Sequence, residues 1–240
     1  MTSTKTWYSF FISLITLVAY AQKKEVTVKT HQLTESIYML EGRGGNIAVS
    51  VGGNGVFMID SQFAAITPKI MAAIKQLSEK DITFLANTHH HGDHTGGNEN
   101  IAKTGAHVIA HDNVYKRIKA NSKQSEEYLP VITFNDKLNL HINNEPVLIF
   151  HAEKGHTDGD SMLYFTKSNV LHTGDLYFNG RYPYIDLKSG GSVNGYIEAV
   201  KKGLILLDGE SKIIPGHGAI SNKAEYESFL TMLQTLKPMC

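Results

Sequence analysis

The run Asn87-Thr88-His89-His90-His91-Gly92-Asp93-His94-Thr95-Gly96-Gly97 decides how this chain is read. It follows Ile82–Ala86, a short apolar run that reads as a buried strand. Residues 89–94 carry five metal-ligand side chains around Gly92. A turn at that glycine lets His89 and His91 face one way and Asp93 and His94 another. Imidazole and carboxylate donors in this mixture suit zinc, with iron or manganese as alternatives. A merely His-rich surface tract would have no matching ligands after strands elsewhere.

Three later segments supply such ligands. Gly155-His156-Thr157-Asp158-Gly159-Asp160 follows the apolar run 147–150. His172-Thr173-Gly174-Asp175-Leu176 follows Val170-Leu171, and Pro215-Gly216-His217-Gly218 follows Ile213-Ile214. Each time an apolar run delivers a ligand-type residue into a turn that contains glycine.

Working outward, 26–28 and 37–40 read as an opening strand pair. Apolar runs at 46–51 and 56–59 flank Gly52-Gly53-Asn54-Gly55, a hairpin signal. Residues 66–77 have helical spacing with Pro68 near the start. A strand at 108–110 and a helix within 111–127 follow. Strands are then expected at 131–134, 138–140, 147–150, 162–165, 170–171 and 212–214, with helices over 196–207 and 224–236. Strands and helices mix throughout, so the fold class is α/β or layered α+β.

Composition bounds the function. Of the 240 residues, 42% are hydrophobic and 19% charged, which is globular. Lys+Arg and Asp+Glu both number 23, so there is no basic field for nucleic acid. The single cysteine, Cys240, excludes an intrachain disulfide and a cysteine-based zinc site. Gly190-Gly191-Ser192-Val193-Asn194 lacks the last glycine of a GxSxG nucleophile elbow. Residues 1–21 read as a signal peptide: Lys5, an apolar core at 10–19, and the small-x-small site Ala19-Tyr20-Ala21. The expectation is cleavage before Gln22, a periplasmic or secreted location, no remaining membrane span, and one domain over 22–240.

The four blocks together, with HxHxDH standing as His89-His90-His91-Gly92-Asp93-His94, resemble the metallo-β-lactamase superfamily over nearly all of 22–240. The resemblance implies a four-layer αβ/βα sandwich with two Zn2+ ions at one edge. His89, His91 and His156 would hold one ion, and Asp93, His94 and His217 the other, with Asp175 bridging both. It further implies attack by metal-bound hydroxide, with Asp93 both a ligand and the residue that orients the water. Asp60, Thr95, Asp158 and Asp160 are expected to support the ligands. His90 is expected to point away, and His31, His107, His111, His141, His151 and His172 to be structural. The stretch 176–186 is expected to line the site, with Tyr177, Asn179, Arg181 and Lys188 as substrate contacts. Tyr182 and Tyr184 are read equally well as core residues, and the glycine-rich 42–46 as a flank of the cleft mouth.

Departures from known branches narrow the activity. Class B1 β-lactamases carry Cys where this chain has Asp175 and Lys three residues later, where this chain has Phe178. The B3 branch lacks the bridging acid. Glyoxalase II enzymes share the ligand set but carry a helical tail, and only 23 residues follow His217. The tRNA-processing and flavin-linked diiron branches are longer. Quorum-signal lactonases often have a Tyr near the position of Tyr177. The reading is an exported dinuclear zinc hydrolase opening a cyclic amide or ester of a small molecule. β-Lactam-type substrates come first, and lactones or other esters second. The competing class is a non-catalytic periplasmic metal-binding protein. The oligomeric state is not assigned.

Overall fold

The computed structural model describes residues 26–121 and 124–237. The expected signal peptide at 1–21 and Cys240 lie outside the described residues.

Seven strands form the first sheet, in the order β1(Lys29–Gln32), β2(Ile37–Glu41), β3(Ile47–Gly52), β4(Gly55–Ile59), β5(Ile82–Ala86), β6(His107–His111) and β7(Ile132–Phe134). The first four are antiparallel, and β3 and β4 turn at the expected hairpin, where Gly55 has φ 108°. From β4 to β7 the strands run parallel, which requires crossovers. Helices α1(Thr67–Lys75), α2(Gly92–Thr95), α3(Asn98–Ala102) and α4(Asp112–Ala120) lie in them.

The second sheet is an antiparallel meander of β8(Lys137–Ile142), β9(Glu145–His151), β10(Ser161–Phe165) and β11(Val170–Phe178). Helix α5(Val193–Ile205) then crosses to β12(Lys212–His217), which is parallel to β11, and β13(Ser221–Asn222) closes the edge before α6(Lys223–Leu236). All nine residues of β11 are buried, as a central strand covered on both faces must be.

Apolar residues segregate into layers. One cluster holds Ile37, Phe57, Ile59 and Ile109 of the first sheet against Val147, Ile149, Leu163 and Phe165 of the second. Phe57 and Phe165 meet across this interface with ring centroids 6.1 Å apart. A second cluster packs α1 and Ile101 of α3 on the outer face of the first sheet. A third packs Tyr196, Val200, Tyr226 and Phe229 of α5 and α6 on the outer face of the second. The result is the expected four-layer sandwich of helices, two sheets and helices. Among the described residues no helix is long and apolar enough to cross a membrane.

Backbone bonds tie the sheets together at one edge. Ser161 N donates to Thr88 O at 2.8 Å and Asn46 N to Gly216 O at 2.7 Å. The loops leaving β4, β5, β11 and β12 converge there.

Candidate metal centre

The loop after β5 carries His89, His91, Asp93 and His94 into this edge, and α2 begins within it at Gly92. His156 arrives from the loop between β9 and β10, Asp175 from within β11, and His217 from the last residue of β12. The seven residues predicted as ligands thus meet from four separate segments.

They divide into two groups. His89 Nε2, His91 Nδ1 and His156 Nε2 face one another, with His91 Nδ1 3.1 Å from His89 and 2.9 Å from His156. Asp93, His94 and His217 form the second group, with Asp93 Oδ2 3.4 Å from His217 Nε2 and 3.8 Å from His94 Nε2. Asp175 lies between them. Its Oδ2 is 3.5 Å from His156 Nε2 and 3.9 Å from His89 Nε2, while its Oδ1 is 3.0 Å from His94 Nε2 and 3.4 Å from His217 Nε2.

The outer ring nitrogens fix the tautomers. His94 Nδ1 lies 2.7 Å from Asp60 Oδ2, His91 Nε2 3.0 Å from Asp186 Oδ2, and His156 Nδ1 2.7 Å from Tyr184 O. Carboxylate and carbonyl oxygens accept, so each of these nitrogens donates. Thr88 Oγ1 donates to Asp60 Oδ2 and so accepts from His89 Nδ1 at 3.1 Å. Every inward nitrogen of these four rings therefore presents a lone pair. Three lone pairs converging at about 3 Å repel one another and are the donor set of a divalent cation. His94 Nε2 and Asp175 Oδ1 are buried and have no hydrogen-bond partner among the described residues, which fits the same role in the second group. The residues fit two metal ions.

Electrostatics agree with that division. Burial and the neighbouring imidazoles hold His89 well below the ordinary histidine range, and burial lowers His156. Burial also acts against charging His217, but Asp175 and Asp93 outweigh it and push its pKa up to about 9. His94 likewise rises well above its ordinary value because Asp175 and Asp60 overcome its burial. Burial would raise Asp175, yet His94, His217 and His89 keep it well below the usual carboxylate range.

The supporting residues differ in placement. Asp60 is fully buried at φ 62° and also accepts from Thr88 N at 2.8 Å, so it braces both His94 and the start of the ligand loop. Thr95 Oγ1 donates to His91 O at 3.0 Å within its own loop. Asp158 touches none of the seven, because Arg117 takes both its oxygens at 2.6 and 2.7 Å. Asp160 accepts from His156 N at 2.6 Å and holds that loop instead. His90 turns away toward Ser189 Oγ, 3.4 Å off.

The expected substrate contacts also separate. Tyr177 is buried among Tyr226 and Phe229 under α6 and bonds Ser221 Oγ at 2.9 Å, which is a core position. The reason is local. Gly174 adopts φ 53° and the register of β11 shifts on either side of it, so simple alternation fails there. The aromatics that reach the ligands are Phe178, stacked on His217 with centroids 5.1 Å apart, and Tyr184, whose ring lies 5.7 Å from His156. Asn179 is held by the carbonyl of Ala219 at 3.0 Å. Arg181 is exposed and lines a cleft of 320 Å³ with Arg43, Gly44, Asn46 and His217, so 42–46 does flank the mouth. Lys188 is exposed on the 3-10 turn Leu187–Ser189. Tyr182 and Tyr184 are not core residues, being 73% and 60% exposed.

Three residues at the site have no sequence signal of their own. Asp186 orients His91 from a loop 95 residues away. Gln62 is buried beside Asp60, and Asn46 Nδ2 donates to Pro215 O at 2.9 Å and Gly218 O at 2.8 Å, clasping the His217 turn.

Known proteins resemble this chain in sequence and in fold. The family model described as Metallo-beta-lactamase superfamily matches residues 40–217. A metallo-beta-lactamase type 2 from Bacillus sp. (strain 170) is 23% identical over 89% of this chain and 88% of its own length. A hydroxyacylglutathione hydrolase from Polaromonas sp. (strain JS666 / ATCC BAA-500) is 33% identical over 60% of this chain, which spans about half of that protein (52%). Among solved structures, a metallo-beta-lactamase from Pontibacter korlensis superposes with a TM-score of 0.77 at 16% identity, covering 87% of this chain and 99% of that one. The DIM-1 metallo-beta-lactamase gives 0.75 at 18% identity, covering 88% and 99%.

Proposed function

The chain belongs to the metallo-beta-lactamase superfamily and is a hydrolase of it, and on that premise we propose that it is an exported dinuclear zinc enzyme that opens a strained cyclic amide of the β-lactam type. The observation that carries the dinuclear reading is the Asp175 carboxylate, which turns one oxygen to each ligand group. Two bound divalent ions would supply an activated water at neutral pH and Lewis acidity toward a carbonyl oxygen.

The chain's own residues divide the remaining work. Asp60, Thr88, Asp186 and the Tyr184 carbonyl keep the imidazole lone pairs turned inward. Asp93 is 28% exposed against 5% for Asp175, so it is the solvent-facing carboxylate of the set, the one that would orient an attacking water. Phe178 covers one face of His217 and excludes solvent from that side. The match to the Bacillus type 2 enzyme over 89% of this chain and 88% of its own length supports the cyclic-amide reading.

A second reading has its own observation. A carboxylate at position 175 and the 33% identity to hydroxyacylglutathione hydrolases favour an acyl ester or lactone. The test is kcat/KM for a chromogenic cephalosporin with zinc-loaded protein, with and without chelator. A chelator-sensitive value near or above about 10⁴ M⁻¹s⁻¹ supports β-lactam hydrolysis as a main activity. A value orders of magnitude lower, beside fast turnover of a lactone or acyl ester, supports the second reading. Asp93→Ala should lower both bound metal and rate. Full metal with unchanged rate refutes its role. Sequencing the N terminus of exported protein tests cleavage before Gln22.

A further inference from the structure

Helix α4 reaches the first ligand group through one carboxylate. Asn113 and Arg117 lie about one turn apart on this helix and so share a face. Both grip Asp158, in the loop that carries His156. Asn113 Nδ2 donates to Asp158 O at 2.8 Å. The Arg117 guanidinium donates from Nε to Oδ1 at 2.6 Å and from Nη2 to Oδ2 at 2.7 Å. This is the planar two-bond fork that a lysine cannot make. Asp112, on the same helix, pairs instead with Lys116 at 2.6 Å. A Cβ on Gly159 would stand 3.0 Å from Val114, so α4 lies tight against the loop.

The same loop is bonded to the turn 184–191. Asp158 N donates to Ser189 O at 2.9 Å, and Asp186 N to His156 O at 2.9 Å. A Cβ on Gly191 would strike the His156 carbonyl, and one on Gly190, at φ 80°, would lie 3.1 Å from the Asp158 side chain. Ser189 N donates to Asp186 Oδ1 at 3.1 Å, while Asp186 Oδ2 and Tyr184 O accept from His91 and His156. The two groups that orient His91 and His156 therefore sit on a turn that Asp158 ties to α4. Burial would raise the Asp158 carboxyl, but its bonds to Arg117 hold it below its ordinary value, so the pair stays ionised. The second ligand group is braced from elsewhere, by Asp60 beside β4, which holds His94 at 2.7 Å.

We propose that Arg117 is a positioning residue for the first metal ion: by holding Asp158 it fixes the turn from which Asp186 and the Tyr184 carbonyl aim His91 and His156. This rests on the reading of the site as a dinuclear metal centre, and it names a helix outside the ligand loops that sets the occupancy of one ion.

NMR of the histidine rings in the full chain reads the two groups separately. In zinc-free protein, His91 Nε2–H and His156 Nδ1–H should exchange with solvent at least about threefold faster in Arg117→Met, because the turn opens locally. His94 Nδ1–H should exchange as in the parent. In a zinc titration the first ion should bind about 3- to 10-fold more weakly, less than the roughly 10- to 100-fold expected from a group that touches a ligand. The second ion should bind as before. Arg117→Lys should recover only part of the loss, since an ammonium lacks the fork. Adding Arg117→Met to Asp186→Asn should cost little further, because both act through one turn. Ile118→Val loosens the same helix without touching Asp158, so it should lower the melting temperature and leave ring exchange and zinc affinity unchanged. Excess zinc should restore kcat in Arg117→Met, since the residue holds ligands and not substrate. Equal loss at both ions, the same loss in Ile118→Val, or unchanged ring exchange in Arg117→Met overturns the role. A parent that takes zinc at only one group overturns the dinuclear reading, and ring exchange in zinc-free protein then still decides whether Arg117 holds His91 and His156.

Discussion

Asp60 Oδ2 lies 2.7 Å from His94 Nδ1, and both side chains are fully buried. The contact sets which nitrogen of His94 carries the proton, and so decides whether Nε2 can serve as a metal donor. Asp60→Asn keeps an acceptor for Thr88 N but can place an amide N–H opposite His94 Nδ1. That reverses the tautomer and turns a proton inward. The variant should fold, because Asn tolerates the positive φ of this position. It should bind its second metal ion roughly 10- to 100-fold more weakly. Metal content after dialysis at fixed free zinc measures this, and two full equivalents would contradict it.

The matching experiment on the other group uses Asp186→Asn. Asp186 accepts from His91 at 3.0 Å and, through its other oxygen, from Ser189 N at 3.1 Å, and it is the one ligand-orienting carboxylate near the surface. The loss should fall on the ion held by His89, His91 and His156, again about 10- to 100-fold in affinity. The group of Asp93, His94 and His217 should titrate as in the parent. Equal loss at both sites would show that the two groups cannot be separated.

The pH dependence of the metal-stripped protein has a defined direction. Asp175 and Asp93 raise His217 to about 9 in the folded state, against about 6.5 when unfolded. A group raised on folding stabilises most below its unfolded pKa and loses that contribution as pH rises through the folded value. The melting temperature in chelator should therefore fall between about pH 6.5 and 9. Zinc-loaded protein should not show the decline, because ligation keeps the ring neutral throughout. Apparent zinc affinity should rise over the same window, as protons stop competing for His217. A melting temperature flat from pH 6.5 to 9 without metal contradicts the charge pattern.

Tyr196 offers a test of how the helices support the bridge. Its hydroxyl donates to the backbone carbonyl of Asp175 from within α5. Tyr196→Phe leaves that buried acceptor without its donor, at a cost of about 1–3 kcal/mol. Denaturant unfolding should show that loss with an unchanged slope. No change in midpoint would mean that the bond contributes nothing net.

The candidate ligands were legible in the sequence because each comes shortly after an apolar run, where chemistry and topology leave the same mark. His89, His91, Asp93 and His94 are local, and His156, Asp175 and His217 repeat the pattern. The orienting groups carry no such mark. Asp186 meets His91 only through the folded loop, and Gln62 looks like any polar residue before a helix. Tyr177 was misplaced because alternation along β11 breaks at Gly174, which swaps the outward roles of Tyr177 and Phe178. The short helices α2 and α3, four and five residues long, are below the length at which apolar periodicity can be read.

The most direct test of the account is a zinc-loaded crystal structure with anomalous difference density at the zinc edge. Two peaks are predicted, one among His89, His91 and His156 and one among Asp93, His94 and His217, with an Asp175 oxygen toward each. A single peak, or a peak on His90, His91 and Asp186 instead, would contradict the dinuclear, Asp175-bridged centre.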